Sequence, residues 1–312
     1  MKAVVYDKSN SPKTLVFRDV ETPVPNDNEL LVKIHAVSVN AGDYRSMKMG
    51  TVPKRKIFGS DIAGTVEATG KNIRQFAVGD EVFGDISACG LGGFAEFVAV
   101  PETQLALKPA GVSFEAAAAV PMSAVTALQG LRNIGNIQPG QKVLICGAGG
   151  GVGTFAVQLA KYFETEVTAV CSTGNAELMR TLGADYVVDY TKEDYIKSGK
   201  RYDLIVAVNG YQTLSVYKHA LNPGGTAVIV GGALSQILKS LLLGPILSLG
   251  GRKVRVLVSK PDSQDLKFII KLVEAGRIRP VIDRRYPLSE TAEAVRYLSE
   301  GHVRGKLVIT CC

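Results

Sequence analysis

Residues 143–153 read Val-Leu-Ile-Cys-Gly-Ala-Gly-Gly-Gly-Val-Gly, four apolar residues and then five glycines in seven positions. The apolar run has the character of a strand buried on both faces. Beyond the glycines, Val152, Phe155, Ala156, Leu159, Ala160 and Phe163 recur at the spacing of one buried helix face. A glycine turn between a strand and such a helix suits a dinucleotide diphosphate. Glycine lets phosphate approach the backbone, and the first N–H groups of the helix lie at the positive end of its dipole. Gly150, Gly151 and Val152 are therefore expected to line a pyrophosphate. A merely tight strand-to-helix turn is the competing explanation.

The next strand, Val167–Cys171, ends in Ser172-Thr173-Gly174-Asn175, with no acidic residue before Glu177. A site for NAD normally carries Asp or Glu about 20 residues beyond the glycine turn, bonded to the ribose 2′-hydroxyl. Hydroxyls and an amide instead can donate to a 2′-phosphate, so Ser172 and Asn175 point to NADP(H). The same residues could equally cap a helix starting near Ala176. Asn209, Val230 and Val258 stand at the carboxyl ends of later strands, where doubly wound sheets bind ligands. Core packing competes for the two valines.

Three stretches of chain would position these residues. Residues 1–115 carry short strand candidates separated by turns such as Gly79-Asp80, and no regular helical alternation. Residues 116–258 alternate strands with helices. Six apolar runs begin at Val143, Val167, Tyr186, Leu204, Ala227 and Val254, and they predict a parallel, doubly wound α/β sheet. Residues 259–312 carry helix patterns at Leu266–Ala275 and Glu290–Leu298 and a closing strand, Lys306–Thr310. That strand could return to complete the first domain.

Composition narrows the function. The 312 residues are 46% hydrophobic and 21% charged, as in soluble folded proteins, and carry a net charge of +7. The basic residues are scattered apart from Lys54-Arg55-Lys56, and no aromatic-plus-basic motif accompanies them, so nucleic-acid binding is not indicated. Five cysteines without a C-x-x-C pair argue against a disulfide framework and a zinc ribbon. The apolar tract from Gly231 to Gly251 is broken by Gln236, Lys239 and Gly244-Pro245 and falls short of a membrane span. Within it, Leu234–Leu249 could be a lid, a subunit contact or a packed helix. With no leader pattern at the start, a cytoplasmic location is expected.

Many segments in order resemble the medium-chain dehydrogenase/reductase superfamily, in its zinc-independent quinone oxidoreductase-like branch. They include Asn40-Ala41-Gly42-Asp43, Phe58-Gly59-Ser60-Asp61-Ile62-Ala63-Gly64, Val78-Gly79-Asp80-Glu81-Val82-Phe83-Gly84 and Gly92-Gly93-Phe94-Ala95-Glu96. Further along are Leu182-Gly183-Ala184-Asp185, Leu221-Asn222-Pro223-Gly224-Gly225 and Gly301-His302-Val303-Arg304-Gly305-Lys306. The resemblance implies a GroES-like β-rich domain (1–115, completed by 259–312), a Rossmann NADP(H)-binding domain (116–258) and an active site in the cleft between them. It implies that Asn40 lies beside the nicotinamide, Thr126 near the phosphates and Tyr190 beside the 2′-phosphate. A bend-stabilising role for Asn40, and a backbone-bonded helical hydroxyl for Thr126, remain open.

Where zinc-dependent members of that superfamily hold their catalytic metal, this chain has Asn40, Ser60-Asp61 and Met122, so no metal is expected. Without a Lewis acid, alcohol oxidation lacks stabilisation for its alkoxide. Hydride addition to a quinone or an α,β-unsaturated carbonyl asks only for hydrogen bonds to the developing oxyanion. No Tyr occupies 49–53, where related enoyl-thioester reductases carry a proton donor; Tyr44 and Arg45 are the nearest substitutes, solvated surface positions being the alternative. The expected function is NADPH-dependent reduction of quinones or enones, against a non-catalytic NADPH-binding sensor. Monomer and homodimer both stay open.

Overall fold

The protein is described by a computed structural model, covering residues 1–7, 14–193, 199–208, 212–231 and 251–311. It divides into two compact units, Met1–Met122 with Pro261–Cys312, and Ser123–Lys260.

The first unit opens with an antiparallel hairpin, β1 (Lys2–Asp7) on β2 (Thr14–Asp19). Strand β3 (Glu29–Val39) alternates half-buried and buried positions along most of its length, the period of a strand with one face in a core. Helix α1 (Ala41–Lys48) follows it directly. Its existence corrects the expectation of no helix before residue 115. The Asp43 carboxylate accepts from the Asn40 backbone N–H at 2.9 Å, one half of a capping box, and this starts the helix. The chain continues through β4 (Asp61–Thr69), β5 (Glu81–Asp85), β6 (Phe97–Pro101) and β7 (Leu105–Leu107). Helix α2 (Phe114–Ala118) is N-capped by Ser113, whose hydroxyl accepts from Ala116 N at 3.2 Å. It packs on β3 and β4, which is why this unit runs on to Met122, past residue 115.

The second unit begins within helix α3 (Pro121–Leu128), which passes into a π-helical turn, Gln129–Ile134. Strand β8 (Lys142–Cys146) leads through the glycine turn to α4 (Gly151–Tyr162) and β9 (Glu166–Cys171). Then come α5 (Ala176–Thr181), β10 (Tyr186–Asp189), β11 (Tyr202–Val208), α6 (Leu214–His219), β12 (Leu221–Val230) and β13 (Lys253–Val256). All six strands are parallel, in the order β10-β9-β8-β11-β12-β13. This is the doubly wound order, and the reversal falls between β8 and β11, where such sheets bind ligands. Val143, Leu144, Ile145, Leu204, Ile205 and Val206 are fully buried, as their unbroken apolar runs require.

The chain returns to the first unit through α7 (Ser263–Glu274), β14 (Ile282–Pro287), α8 (Thr291–Ser299) and β15 (Lys306–Thr310). Asp262 caps α7 by accepting from Gln264 N and Asp265 N at 2.8 and 2.9 Å, so the helix starts three residues before Leu266. β15 lies between β14 and β3 and pairs antiparallel with β3, Leu307 opposite Val39. The sheet then runs β14-β15-β3-β4-β5-β7, with β6 also on β3. Its core includes Tyr6, Phe58, Phe94, Ile34, Ile62 and Leu307.

Candidate functional site

In the second unit, the glycine turn is built so that two of its five glycines, Gly147 and Gly153, cannot carry a side chain. Gly147 has a φ of +73°, and a Cβ there would collide with the Val208 carbonyl oxygen of β11. A Cβ on Gly153 would collide with the Gly147 carbonyl oxygen. Gly150 differs: its extended backbone (φ −86°, ψ 177°) suits any residue, and a Cβ would meet nothing nearer than Gly147 O at 3.9 Å. That space lies at the start of α4, where Gly150 supplies no capping side chain and the first turn holds no acid. The N–H groups of Gly151, Val152 and Gly153 therefore have no partner within the helix. An open face over uncapped N–H groups fits a diphosphate.

The loop after β9 closes over the same turn. Ala148 N donates to Val170 O at 3.0 Å, and a Cβ on Gly149 would come 2.5 Å from Asn175 Nδ2. Asn175 Nδ2 donates to Ser172 Oγ at 3.3 Å, while its Oδ1 is buried without a partner among the described residues. An orphaned acceptor beside the turn fits a ribose hydroxyl; with the amide turned over, Nδ2 would face a phosphate. Residues 173–175 form a short 3-10 turn, and neither Ser172 nor Asn175 makes a side-chain cap. Capping of α5 is thus not what these side chains do. Tyr190, 59% exposed, is tied to this loop by its N–H on Cys171 O at 3.1 Å.

An acid does reach this loop, from β10. Thr173 Oγ1 donates to Asp189 Oδ2 at 2.5 Å, and Thr191 donates to Oδ1 through its hydroxyl at 2.7 Å and its N–H at 3.0 Å. The Thr173 hydrogen bond leads in holding the Asp189 carboxyl down to about 2, so it is ionised at neutral pH. The spacing search along β9 missed Asp189 because it comes from the neighbouring strand, Asp189 opposite Cys171.

The other expected residues of this unit have definite surroundings. Thr126 donates to Ser259 Oγ at 3.0 Å, not to its own helix, and Ser259 donates onward to Gln129 Oε1 at 3.2 Å. Val230 is buried at the end of β12 with a methyl 3.6 Å from where a Gly130 Cβ would stand; core packing accounts for it. Val258, by contrast, is 69% exposed. Asn209 and the Leu234–Leu249 tract lie outside the described residues.

In the first unit, the structure assembles Asn40, Ser60, Asp61 and Met122 into one buried polar cluster. Asn40 Nδ2 donates to Ser60 Oγ at 3.1 Å and to Asp61 Oδ2 at 3.0 Å. Asp61 also accepts from Ser38 Oγ and from Met122 N, each at 3.2 Å. Its cation comes from the far end of the chain: Lys306 Nζ lies 2.5 Å from Asn40 Oδ1 and 3.6 Å from Asp61 Oδ2. Sequence reading missed Lys306 as a site residue; it stood there only as the end of the Gly301–Lys306 segment and the start of the closing strand. Desolvation pushes the Asp61 carboxyl up to about 7 against the pull of Lys306, and Asp43 up to about 6. Desolvation likewise lowers Lys306. Tyr44 is half-buried and packs on the apolar core of this unit. Among the described residues, no group of three or more His, Cys, Asp or Glu is arranged to hold a metal ion. No helix among them is long and apolar enough to cross a membrane.

Residues 26–110 match the alcohol dehydrogenase GroES-like domain, and residues 182–309 match the family described as zinc-binding dehydrogenase. A chloroplast envelope quinone oxidoreductase homolog of Arabidopsis thaliana is 33% identical, over 93% of this chain and 92% of its own. The 2-methylene-furan-3-one reductase of Solanum lycopersicum is 33% identical over 99% of this chain and 79% of its own. Among solved structures, the quinone oxidoreductase from Coxiella burnetii superposes with a TM-score of 0.88 at 29% identity, covering 100% of this chain and 99% of that one. With a GroES-like sheet completed by its C-terminal strand and a doubly wound nucleotide-binding sheet, the chain belongs to the medium-chain dehydrogenase/reductase superfamily, in its quinone oxidoreductase-like branch.

Proposed function

We propose that the protein is an NADPH-dependent oxidoreductase that passes hydride to quinones or α,β-unsaturated carbonyls. One observation carries the cofactor half of this reading: the uncapped start of α4, open at Gly150 and flanked by Gly147 and Gly153, which admit no side chain. The substrate class follows the names of the relatives, one a quinone oxidoreductase homolog and one a reductase of a furanone bearing an exocyclic alkene.

When bound, the nicotinamide supplies the hydride. Gly150, Gly151 and Val152 would hold the diphosphate through backbone N–H groups. Ser172, Asn175 and Tyr190 would receive the adenosine ribose and its 2′-phosphate, and Thr126 and Val258 would flank the same ligand. Asp189 argues for a modest NADPH preference, since its charge would lie near that phosphate; its acceptors, though, are already filled by Thr173 and Thr191. Asn40 would serve the nicotinamide end, and Tyr44 is the phenol we assign to proton return.

The test is NADPH and NADH oxidation followed at 340 nm with a panel of quinones and enones, alongside cofactor binding. Turnover faster with NADPH supports the reading. Tight binding with no oxidation above buffer replaces it with a cofactor-binding protein that does not turn over.

A further inference from the structure

We propose that Lys306 is a positioning residue for hydride transfer: its buried ammonium holds the Asn40 side-chain amide in a single orientation.

An ammonium group only donates hydrogen bonds, so it can face the amide oxygen of Asn40 and not its nitrogen. It does so at 2.5 Å. Both Nδ2 protons are then taken by Ser60 Oγ and Asp61 Oδ2, at 3.1 and 3.0 Å. With Asp61 ionised, turning the amide over would aim its NH2 group at the ammonium and its oxygen at the Asp61 carboxylate, two repulsive contacts in place of two attractive ones. The Asn40 backbone is pinned as well, through its N–H on Asp43.

The lysine is an expensive way to fill this space. Asn40, Asp61 and Lys306 are 4%, 0% and 3% exposed, and an apolar side chain of similar length would pack β15 without desolvating a charge. Asp43 and Asp85 also act on this ammonium, so a single cation serves three buried carboxyls. Its closest bond, however, goes to the neutral amide and not to any of them. That geometry is what a device for fixing an amide requires, and it goes beyond a simple charge pair.

The inference rests on the proposed role of Asn40 at the nicotinamide end, and the experiment separates the two. Hydride transfer is measured in single turnovers at saturating NADPH for Lys306→Met, Asn40→Ala and the double variant, with NADPH affinity measured in parallel. Lys306→Met/Asp61→Asn, which removes the pair together, replaces Lys306→Met should the latter not fold. We expect each single variant to slow hydride transfer at least tenfold, NADPH affinity to change less than about twofold, and the double variant to be no slower than Asn40→Ala.

Multiplying effects, or wild-type hydride transfer in Lys306→Met, overturn the inference; so does an inert Asn40→Ala beside a slow Lys306→Met. A readout free of turnover is the side-chain amide of Asn40 in 1H–15N spectra. It should be protected from exchange in the wild type and lose protection when Lys306 is replaced, and unchanged protection overturns the inference. A wild type that binds NADPH but reduces no quinone or enone sinks the functional reading alone, and the amide signals then decide the part played by Lys306.

Discussion

Gly149 and Asn175 meet across the mouth of the nucleotide unit: a Cβ on the glycine would stand 2.5 Å from the amide nitrogen of the asparagine. The contact joins the turn that would hold a diphosphate to the loop that would hold the adenosine ribose. The two halves of the expected cofactor site therefore constrain each other, and substitutions in one should be felt in the other. Gly149→Ala should push the Asn175 amide aside, because a side chain can yield where backbone cannot. Adenine-nucleotide affinity should fall about fivefold or more, roughly 1 kcal/mol. Unchanged affinity in calorimetric titration would show that Asn175 takes no part.

Gly147→Ala and Gly150→Ala should fail in opposite ways. At Gly147 a methyl meets Val208 O and the φ of +73° disfavours any side chain, so about 2–4 kcal/mol of stability should be lost. At Gly150 the backbone is already suited to alanine and the space is open, so stability should change by no more than about 1 kcal/mol. The methyl would instead occupy the proposed diphosphate site, and NADPH affinity should drop at least about tenfold, 1.4 kcal/mol. Denaturant unfolding and nucleotide titration of both variants decide it. A Gly150→Ala protein that binds NADPH normally removes the diphosphate from this turn.

Asp189 sets a limit on cofactor choice. Ionised and bonded to Thr173, it places a negative charge beside the loop proposed for the 2′-phosphate. Asp189→Asn should raise NADPH affinity over NADH affinity by about three- to tenfold at low salt, and the gain should shrink as screening shortens the reach of the charge. An NADPH/NADH ratio that stays constant at low salt would place the phosphate elsewhere.

Legibility in the sequence followed the range of the interactions involved. The six parallel strands could be read because strands buried on both faces show as unbroken apolar runs, and the glycine turn because its neighbours are adjacent in sequence. Helix α1 escaped because eight residues containing Asp43, Arg45, Ser46 and Lys48 show little apolar period, although Asn40-x-x-Asp43 was a cap signal in plain view. Asp189 was hidden by a strand-to-strand contact, and Lys306 by a separation of 266 residues from Asn40. No local pattern reports which side chains a closing strand will carry into a pre-existing cluster.

Lys108 gives a stability prediction that leaves the proposed cofactor site alone. Its side chain is 4% exposed; Nζ donates to Val112 O at 2.6 Å and Pro109 O at 3.1 Å, and pairs with Glu81 at 2.7 Å. The ammonium also lies 4.9 Å from the Phe114 ring at the start of α2. Lys108→Met keeps the stem and takes the Lys108 donor from Val112 O, while Pro109 O still accepts from Val112 N at 3.1 Å, so the change should cost about 1–3 kcal/mol. Glu81 is half-exposed and can turn to water. A change below about 0.5 kcal/mol in urea unfolding would mean that these bonds contribute nothing net.

The raised Asp43 and Asp61 carboxyls predict that stability falls as pH rises, the reverse of what surface ion pairs do. Asp43 is 3% exposed, and burial raises it from 3.8 to about 6, even though Asn40 N and Gly59 N donate to it and Lys306 faces it. Between those two values the native state holds a proton that the unfolded chain has released, so unfolding becomes easier as pH climbs. Asp61, raised to about 7 with Asp85 and Lys306 as its charged neighbours, extends the same slope upward. Carboxyls lowered at the surface, Asp189 among them, act in the opposite sense only below their unfolded values near pH 4. Lys306, lowered from 10.5, also opposes the slope, in the window between its folded value and 10.5. Unfolding free energy should therefore be greater at pH 5 than at pH 7.5, by about 2–4 kcal/mol. Asp61→Asn, which cannot titrate, should flatten the profile between pH 6 and 7.5. Urea titrations at pH 5, 6 and 7.5 that show stability level or rising would mean these carboxyls stay ionised in the folded protein, held by Lys306 and their N–H donors.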